Sequence, residues 1–176
     1  RTVDALSTFD PPAAVRKAMR WYRMGVNAYA QDDQFMNFWF ALEILAEYQK
    51  PSEKVPDLCQ VCKSPLFCET CKAHSTHRPF ATQAIEMLMR RVDKTCDDEV
   101  VKRLFRSRNR LMHGDTLEEI DEQGDASDSP DAHVVNVLGR LVWRALIFQF
   151  PPEIISGKLG FLSPSTYLHY TMNAVM

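Results

Sequence analysis

The sequence predicts an all-α protein, an up-and-down bundle of about five helices with a zinc knuckle inserted between the second and third helices. Three observations lead to this prediction. Apolar residues recur at helical spacing in five stretches, Asp, Pro and Gly punctuate the stretches between them, and four cysteines share a segment that lacks this spacing. With 176 residues, of which 45% are hydrophobic and 25% charged, we expect residues 1–176 to form one domain around one core.

The first two predicted helices form the N-terminal part of the bundle. Asp10, which precedes two prolines, is expected to cap a helix over residues 11–30. Asp32 or Asp33 is expected to cap a second helix that ends near Glu47. The second helix is apolar around much of its circumference, which is typical of a helix at the centre of a bundle. Its apolar residues include Phe35, Phe38, Trp39, Leu42, Ile44 and Leu45.

Residues 51–79, here called the four-cysteine segment, interrupt the helical pattern with Pro, Ser, Lys and Cys. Its cysteines form two Cys-x-x-Cys pairs, Cys59 with Cys62 and Cys68 with Cys71, separated by five residues. The segment is too short to have its own hydrophobic core, and four thiolates bind Zn²⁺ tetrahedrally without leaving a position for a substrate. We therefore expect a structural zinc site, with an iron–sulfur cluster as the chemical alternative.

Three further residues near the segment leave alternatives open. His74 and His77 follow the last cysteine and would replace a ligand, build a second site or stand solvated as a pair. Cys96 lies apart from the pairs and is expected to be a buried, inert thiol. Basic residues are few between positions 51 and 79, which favours bracing or protein contact over strong nucleic-acid binding. They are Lys54, Lys63, Lys72 and Arg78.

The third and fourth predicted helices follow the four-cysteine segment. The third covers residues 81–92, with Ile85, Leu88 and Met89 expected to face inward. Asp97 or Asp98 caps the fourth, which runs to His113 and ends at Gly114, where a glycine commonly follows a helix.

The last part of the chain begins with an acidic stretch, residues 115–131, which is predicted to be a loop. Asp131 is expected to cap a fifth helix over residues 132–150, which Pro151 and Pro152 end. Residues 153–176 fit a hairpin, an extended arm or a last helix equally well.

Charge and hydropathy limit the classes of partner. The net charge of -2 at pH 7 gives no general attraction to nucleic acid or to anionic membranes, so such binding needs a local patch. One basic cluster is present, although such runs are usually solvated faces. Its members are Arg90, Arg91, Lys94, Lys102, Arg103, Arg106, Arg108 and Arg110. Because no apolar run reaches 18 residues, we expect a cytoplasmic protein without membrane contact.

One motif stands at the end of the fourth helix. Arg108 and His113 form an R-x4-H pattern in which the polar Asn109 directly follows the arginine. Upstream, residues 38–45 read Phe-Trp-Phe-Ala-Leu-Glu-Ile-Leu. Together these segments resemble the HEPN superfamily of helical domains, many of whose bacterial members carry W-x-A-L-E-x-L before the motif. The helix order agrees over residues 11–150, and a narrower resemblance is to the HEPN proteins of methylamine-utilisation clusters.

The resemblance implies a metal-independent RNA endonuclease or an RNA-binding domain, with catalytic roles for Arg108, Asn109 and His113. His113 would accept a proton from a ribose 2′-hydroxyl or return one to the leaving oxygen. Arg108 would neutralise the charge that builds on the phosphate, and Asn109 would orient either group. Glu43, on the second helix, is expected to pair with Arg108 or Arg110.

Geometry sets a condition on this site, because residues five apart on an α-helix point about 140° away from each other. Either the last helical turn unwinds at Gly114, or two copies meet in a homodimer and pool Arg108 and His113, as HEPN dimers do. We prefer the homodimer.

Two other functions fit the same residues. In a non-catalytic protein-interaction domain braced by zinc, His113 would cap its helix beside the C-terminal dipole and Arg108 would pair with Glu43 or the acidic stretch. A nucleotide-binding regulator would hold a phosphate without cutting it. The sequence lacks Gly-rich phosphate loops and G-x-S-x-G, which excludes P-loop proteins, kinases and esterases, and the lack of H-E-x-x-H disfavours a hydrolytic metal site.

Overall fold

The structure, a computed structural model, describes residues 10–122 and 133–151. Within these residues the chain forms six helices and two short two-stranded sheets, so the predicted all-α class holds for the bundle. The helices are α1 (Ala13–Asn27), α2 (Gln31–Tyr48), α3 (Ala81–Val92), α4 (Asp98–Met112), α5 (Leu117–Glu122) and α6 (Val134–Ile147). The strands are β1 (Val55–Pro56), β2 (Phe67–Cys68), β3 (Ala73–His74) and β4 (Thr76–His77).

Helix α2 lies at the centre of the bundle, as its apolar circumference predicts. It packs most extensively against α1 and also contacts α6, α3 and α4. The Phe38 ring is fully buried where α1, α2 and α6 meet. A Cβ atom added at Gly25 of α1 would lie 2.6 Å from the Phe38 ring, and one at Gly139 of α6 would lie 3.1 Å from it. Two glycines therefore allow three helices to close around one aromatic side chain.

Two predicted N-caps are wrong. Helix α1 begins at Ala13 with no side-chain cap, and Asp10 instead forms an ion pair with Arg16 at 2.6 Å. Helix α2 begins at Gln31, so Asp32 and Asp33 lie in its first turn, where carboxylates still favour the helix dipole. The Asp32 carboxylate accepts a hydrogen bond from the Leu117 backbone N–H at 2.9 Å, which ties the start of α5 to α2.

The predicted ends of α4 are confirmed. The Asp97 carboxylate accepts a hydrogen bond from the Val100 N–H at 2.9 Å, as an N-cap does. At the other end Gly114 has a φ of +100°, and the N–H groups of Gly114 and Asp115 donate to the carbonyls of Leu111 and Arg110. This pair of bonds is a Schellman motif, which satisfies the last carbonyls of the helix.

Part of the predicted acidic loop is helical. Thr116 and Glu119 form a capping box, in which the Thr116 N–H donates to the Glu119 carboxylate at 2.8 Å. Leu117 and Ile120 are buried, so α5 forms because it has both a cap and an apolar face. The later part of that stretch, the predicted cap Asp131 and residues 153–176 lie outside the described residues. None of the described helices has the length and apolar character needed to cross a membrane.

Candidate functional site

The backbone of the four-cysteine segment is organised around a three-way junction. Three backbone hydrogen bonds join Asp57, Leu66 and Ser75. The Asp57 N–H donates to the Ser75 carbonyl at 2.9 Å, the Ser75 N–H donates to the Leu66 carbonyl at 2.9 Å, and the Leu66 N–H donates to the Asp57 carbonyl at 2.8 Å. Cys59 lies two residues after Asp57, and Cys68 lies two residues after Leu66. Both Cys-x-x-Cys turns therefore start from the same hydrogen-bonded junction.

The two turns share a backbone feature. The residue directly after each pair, Lys63 and Lys72, has a φ of 59° and 53° respectively. This left-handed conformation is uncommon for residues other than glycine, so its occurrence at equivalent positions marks a repeated turn. An isolated bridge between Leu58 and Pro65 closes the first turn, and the antiparallel pairing of β2 with β3 closes the second.

The thiols interact within each pair. Hydrogen bonds from the backbone and hydroxyl of Ser64, together with the Cys59 thiol, lower the pKa of Cys62 to about 7. The backbone N–H and thiol of Cys71 lower the pKa of Cys68 in the same way. Both turns thus favour the thiolate, the form that binds metals. Among the described residues, no three His, Cys, Asp or Glu side chains are arranged to hold a metal ion, so zinc stays a prediction.

His77 joins the four-cysteine segment to the helical bundle. Its Nδ1 lies 2.5 Å from Asp57 Oδ1, its Nε2 lies 3.0 Å from Gln83 Oε1 on α3, and its ring stacks on Phe80. Because both ring nitrogens have protein partners, His77 is not available as a metal ligand. His74 contacts the segment itself, with Nδ1 3.3 Å from the Leu66 carbonyl oxygen.

Arg108 is held at the surface by a short chain of contacts from α2. The Glu43 carboxylate accepts a hydrogen bond from Trp39 Nε1 at 2.7 Å and lies 3.9 Å from the Arg108 guanidinium. The predicted pairing of Glu43 with Arg108 is therefore present. The guanidinium also donates to Asn109 Oδ1 at 3.2 Å, whereas Arg110 pairs with Asp115 at 2.6 Å. Arg108 stays one-third exposed, so its contacts orient it without covering it.

His113 lies at the C-cap of α4, where its side chain is exposed. Its backbone N–H donates to the carbonyls of Asn109 and Arg110. Within the described part of the chain, no hydrogen bond joins the imidazole to Arg108 or Asn109. The structure therefore brings Arg108, Asn109 and Glu43 together and leaves His113 facing solvent at the same helix end.

Two features next to this group were not predicted from the sequence. Ser107 is buried beside Arg108, and its hydroxyl is the one buried side-chain polar atom without a hydrogen-bond partner in the described residues. Phe40, one turn before Glu43 on α2, stays 37% exposed with its ring centroid 5.0 Å from that of Trp21. The sequence gives one sign of Phe40: it is an apolar residue on the same side of α2 as the charged Glu43.

Comparison with known protein families identifies the family of this chain. The model of the family described as "Methylamine utilization protein MauJ" matches residues 18–146, about three quarters of the chain. The matched region includes α2, the four-cysteine segment and the end of α4 with Arg108 and His113. No curated protein and no solved structure matches the chain.

Proposed function

The chain belongs to the MauJ family of methylamine utilization proteins, and from that premise we propose that it is a HEPN-type, metal-independent RNA endonuclease with its site at Arg108, Asn109 and His113. One observation carries the proposal. The Arg108 guanidinium is oriented by Glu43 and Asn109 yet stays partly exposed, at the helix end where the His113 imidazole faces solvent. Because of the family's description, we propose that this cleavage serves methylamine utilization.

The reaction needs only the groups that these residues supply. The ribose 2′ oxygen attacks the adjacent phosphorus and loses its proton to a base, and the bond to the 5′ oxygen breaks as that oxygen gains a proton. The products are a 2′,3′-cyclic phosphate and a 5′-hydroxyl. Arg108 stabilises the charge on the phosphate oxygens, and His113 transfers one of the two protons.

A homodimer completes the site. Arg108 and His113 point in different directions on α4, so a second copy related by a two-fold axis would place the histidine of one chain near the arginine of the other. Each dimer would then contain two Arg108 and two His113 residues around one RNA strand.

Zinc in the four-cysteine segment would be structural. No residue from 51 to 78 is buried, so the segment lacks the apolar core that would otherwise stabilise its turns. The donor set fits Zn²⁺, because one thiol in each Cys-x-x-Cys turn, Cys62 or Cys68, has a lowered pKa and both turns start at one hydrogen-bonded junction. Cys59, Cys62, Cys68 and Cys71 would complete a closed shell that takes no part in the reaction.

The experiment that tests the proposal uses zinc-loaded protein and a labelled, partly single-stranded RNA in buffer without Mg²⁺. We expect cleavage with 2′,3′-cyclic phosphate ends, loss of about 10²- to 10⁴-fold in rate for His113→Ala, and no cleavage of a strand with 2′-deoxyriboses. Arg108→Ala should lose activity similarly. Lys102→Ala is the matched control, since it removes an exposed cation from the start of the same helix.

Equal rates for wild type and His113→Ala would refute the role of the histidine. RNA binding without cleavage would favour the nucleotide-binding regulator. A protein-interaction domain is the second candidate, because the four-cysteine segment exposes apolar side chains, above all Val61 at 91%. Neither binding nor cleavage, with zinc and helix content intact, would favour that candidate.

A further inference from the structure

Trp21 of α1 and Phe40 of α2 form a partly exposed aromatic pair on the face of the bundle that carries Glu43. Their ring centroids are 5.0 Å apart with an angle of 56° between the planes. Phe40 is 37% exposed although α2 is the central helix, and Trp21 is half-buried. A phenylalanine on the central helix that is more than one-third exposed presents ring surface to solvent.

The aromatic pair lies beside the candidate catalytic arginine. Phe40 and Glu43 are three residues apart on α2, and residues with this spacing are neighbours with Cβ atoms about 5–6 Å apart. The Glu43 carboxylate is in turn 3.9 Å from the Arg108 guanidinium. A phosphate at Arg108 and an aromatic ring at Phe40 are therefore separated by little more than one side chain.

The opposite flank of the aromatic pair is basic. Helix α1 contains four cations and no carboxylate, in a chain whose net charge is -2. Its cations are Arg16, Lys17, Arg20 and Arg23. Of these four cations, only Arg16 has a carboxylate partner among the described residues, and that partner is Asp10. Lys17 lies one turn before Trp21 and so shares its side of the helix. Cations thus stand on both sides of the aromatic pair, Lys17 on α1 and Arg108 on α4.

We propose that Trp21 and Phe40 stack an unpaired base of the RNA strand whose phosphate is bound at Arg108, so that the substrate is single-stranded RNA. This inference rests on the proposed function and names its substrate class. Aromatic rings between cations are the arrangement that binds single strands, since the rings stack bases and the cations follow the phosphates. In a duplex the bases stack on one another, and their faces are not available to the protein.

The test measures affinity for a single-stranded RNA that carries 2′-O-methyl groups and therefore cannot be cleaved. Phe40→Leu keeps an apolar side chain but removes the ring, and we expect Kd to rise by about 5- to 150-fold. Phe40→Ala should give a similar rise. Phe80→Ala, which removes a 63% exposed phenylalanine beside the four-cysteine segment, is the matched control and should leave Kd unchanged.

A series of RNAs with one abasic nucleotide sharpens the test. At one position the missing base should weaken wild-type binding, and there Phe40→Leu should have no further effect, because the variant and the RNA each lack one partner of the same contact. Blunt duplex RNA should bind wild type and Phe40→Leu equally. Circular dichroism would check that the variants keep their helix content.

Three outcomes would overturn the inference. If Phe40→Leu cleaves and binds single-stranded RNA like wild type, the aromatic pair is not a stacking surface, while the proposed function stands. If Phe40→Leu instead dissociates a dimer in sedimentation and binds RNA unchanged, this face is a contact between copies of the chain. If wild type neither binds nor cleaves RNA, the proposed function fails and the inference fails with it.

Discussion

The helical bundle and the four-cysteine segment are stabilised by different physical means. In the bundle, Phe35, Phe38, Leu42 and Leu45 of α2 are all fully buried. In the segment no residue from 51 to 78 is buried, and its turns are held by backbone hydrogen bonds around one junction. Hydrophobic burial is the dominant favourable term in folding, so the segment needs another source of stability. We propose that this source is zinc bound by the four thiols of the two matched turns.

The contact between the two regions is polar and narrow. The His77 ring connects Asp57 of the segment to Gln83 of α3, and Gln83 Oε1 also accepts a hydrogen bond from the Phe80 N–H at 2.8 Å. Pro79, the last residue of the segment, is its one buried residue. Because no apolar core is shared between the two regions among the described residues, we expect each region to unfold without the other.

The largest effect is expected from breaking the proposed zinc site. Cys68→Ser, or treatment with a chelator, should remove one equivalent of zinc and expose residues 51–79 to protease, while the melting of the bundle changes little. Binding of structural zinc by finger peptides is worth about 10–16 kcal/mol, far more than the hydrogen bonds of this segment would supply. Zinc content, limited proteolysis and circular dichroism check the prediction.

Cys96→Ala is the control for this change, since it removes a buried thiol from the bundle and should leave the zinc content unchanged. Protease resistance of zinc-free Cys68→Ser would mean that the junction alone maintains the segment. Unfolding of the whole bundle on zinc loss would instead contradict the separation of the two regions.

The next effect is expected at the centre of the bundle. Phe38→Ala should lower the free energy of unfolding by about 3–5 kcal/mol, because it leaves a cavity between Gly25 and Gly139 that neither glycine fills. Urea unfolding, followed by circular dichroism, measures the change. Zinc content should stay at that of wild type in the folded variant.

Val61→Ala, in the four-cysteine segment, is the control for Phe38→Ala in the helical bundle. Val61 is 91% exposed, so its truncation should alter stability by no more than about 0.5 kcal/mol. Similar losses for the two variants would show that the four-cysteine segment contributes apolar burial, for example against a second copy of the chain.

The sequence predicted the helices better than the contacts between them. Apolar spacing identified the helices now seen as α1 to α4 and α6, because that spacing reflects burial directly. Helix α5 was missed, although Thr116 and Glu119 have the spacing of a capping box, because acidic residues dominate its composition. Asp32 was assigned to its own helix, whereas it accepts a hydrogen bond from Leu117, a contact distant in sequence.

The candidate site shows the same limit. Cysteine spacing predicted a zinc site, which stays a prediction. The sequence also predicted that Glu43 pairs with Arg108 or Arg110, and the structure shows the pairing with Arg108. The aromatic pair was not predicted, because an apolar residue on a central helix is expected to be buried. Only the packing of α1 against α2 determines that Phe40 stays exposed beside Trp21.

A smaller effect, on pH dependence, is expected where α3 meets α6. Burial would raise the pKa of Asp93, but hydrogen bonds from Thr95 and the charges of Arg144 and Arg140 lower it below its usual value. A carboxyl with a lowered pKa stabilises the fold at pH values above the unfolded-state pKa of about 3.9, and this stability is lost as pH falls through the folded pKa. Asp93→Asn should therefore cost roughly 1–2 kcal/mol at pH 7.

Measured between pH 7 and pH 2, the stability of Asp93→Asn should fall less steeply below pH 4 than that of wild type. Glu53→Gln is the charge-matched control in the four-cysteine segment, where the side chain is exposed. The same acid dependence in wild type and Asp93→Asn would assign the loss of stability to other carboxyls.

The smallest effect is expected to be a gain of stability. Ser107 is 1% exposed on α4, and its hydroxyl has no partner among the described residues. A buried hydroxyl without a hydrogen bond costs roughly 1–3 kcal/mol, and alanine also favours the helix more than serine does. Ser107→Ala should therefore raise the free energy of unfolding by about 1 kcal/mol in urea denaturation. Ser52→Ala, an exposed serine of the four-cysteine segment, should change it by no more than about 0.5 kcal/mol.

Stability and RNA cleavage of Ser107→Ala, measured together, distinguish a packing role of the Ser107 hydroxyl from a functional one. If stability rises and RNA cleavage is unchanged, the hydroxyl is only a packing defect of α4. If stability falls instead, the hydroxyl has a partner in solution, because losing a satisfied hydrogen bond costs stability whereas removing an unsatisfied group does not. If stability rises but cleavage falls, the hydroxyl helps to position Arg108. The buried hydroxyl then lowers the stability of the bundle but contributes to the activity of the neighbouring site.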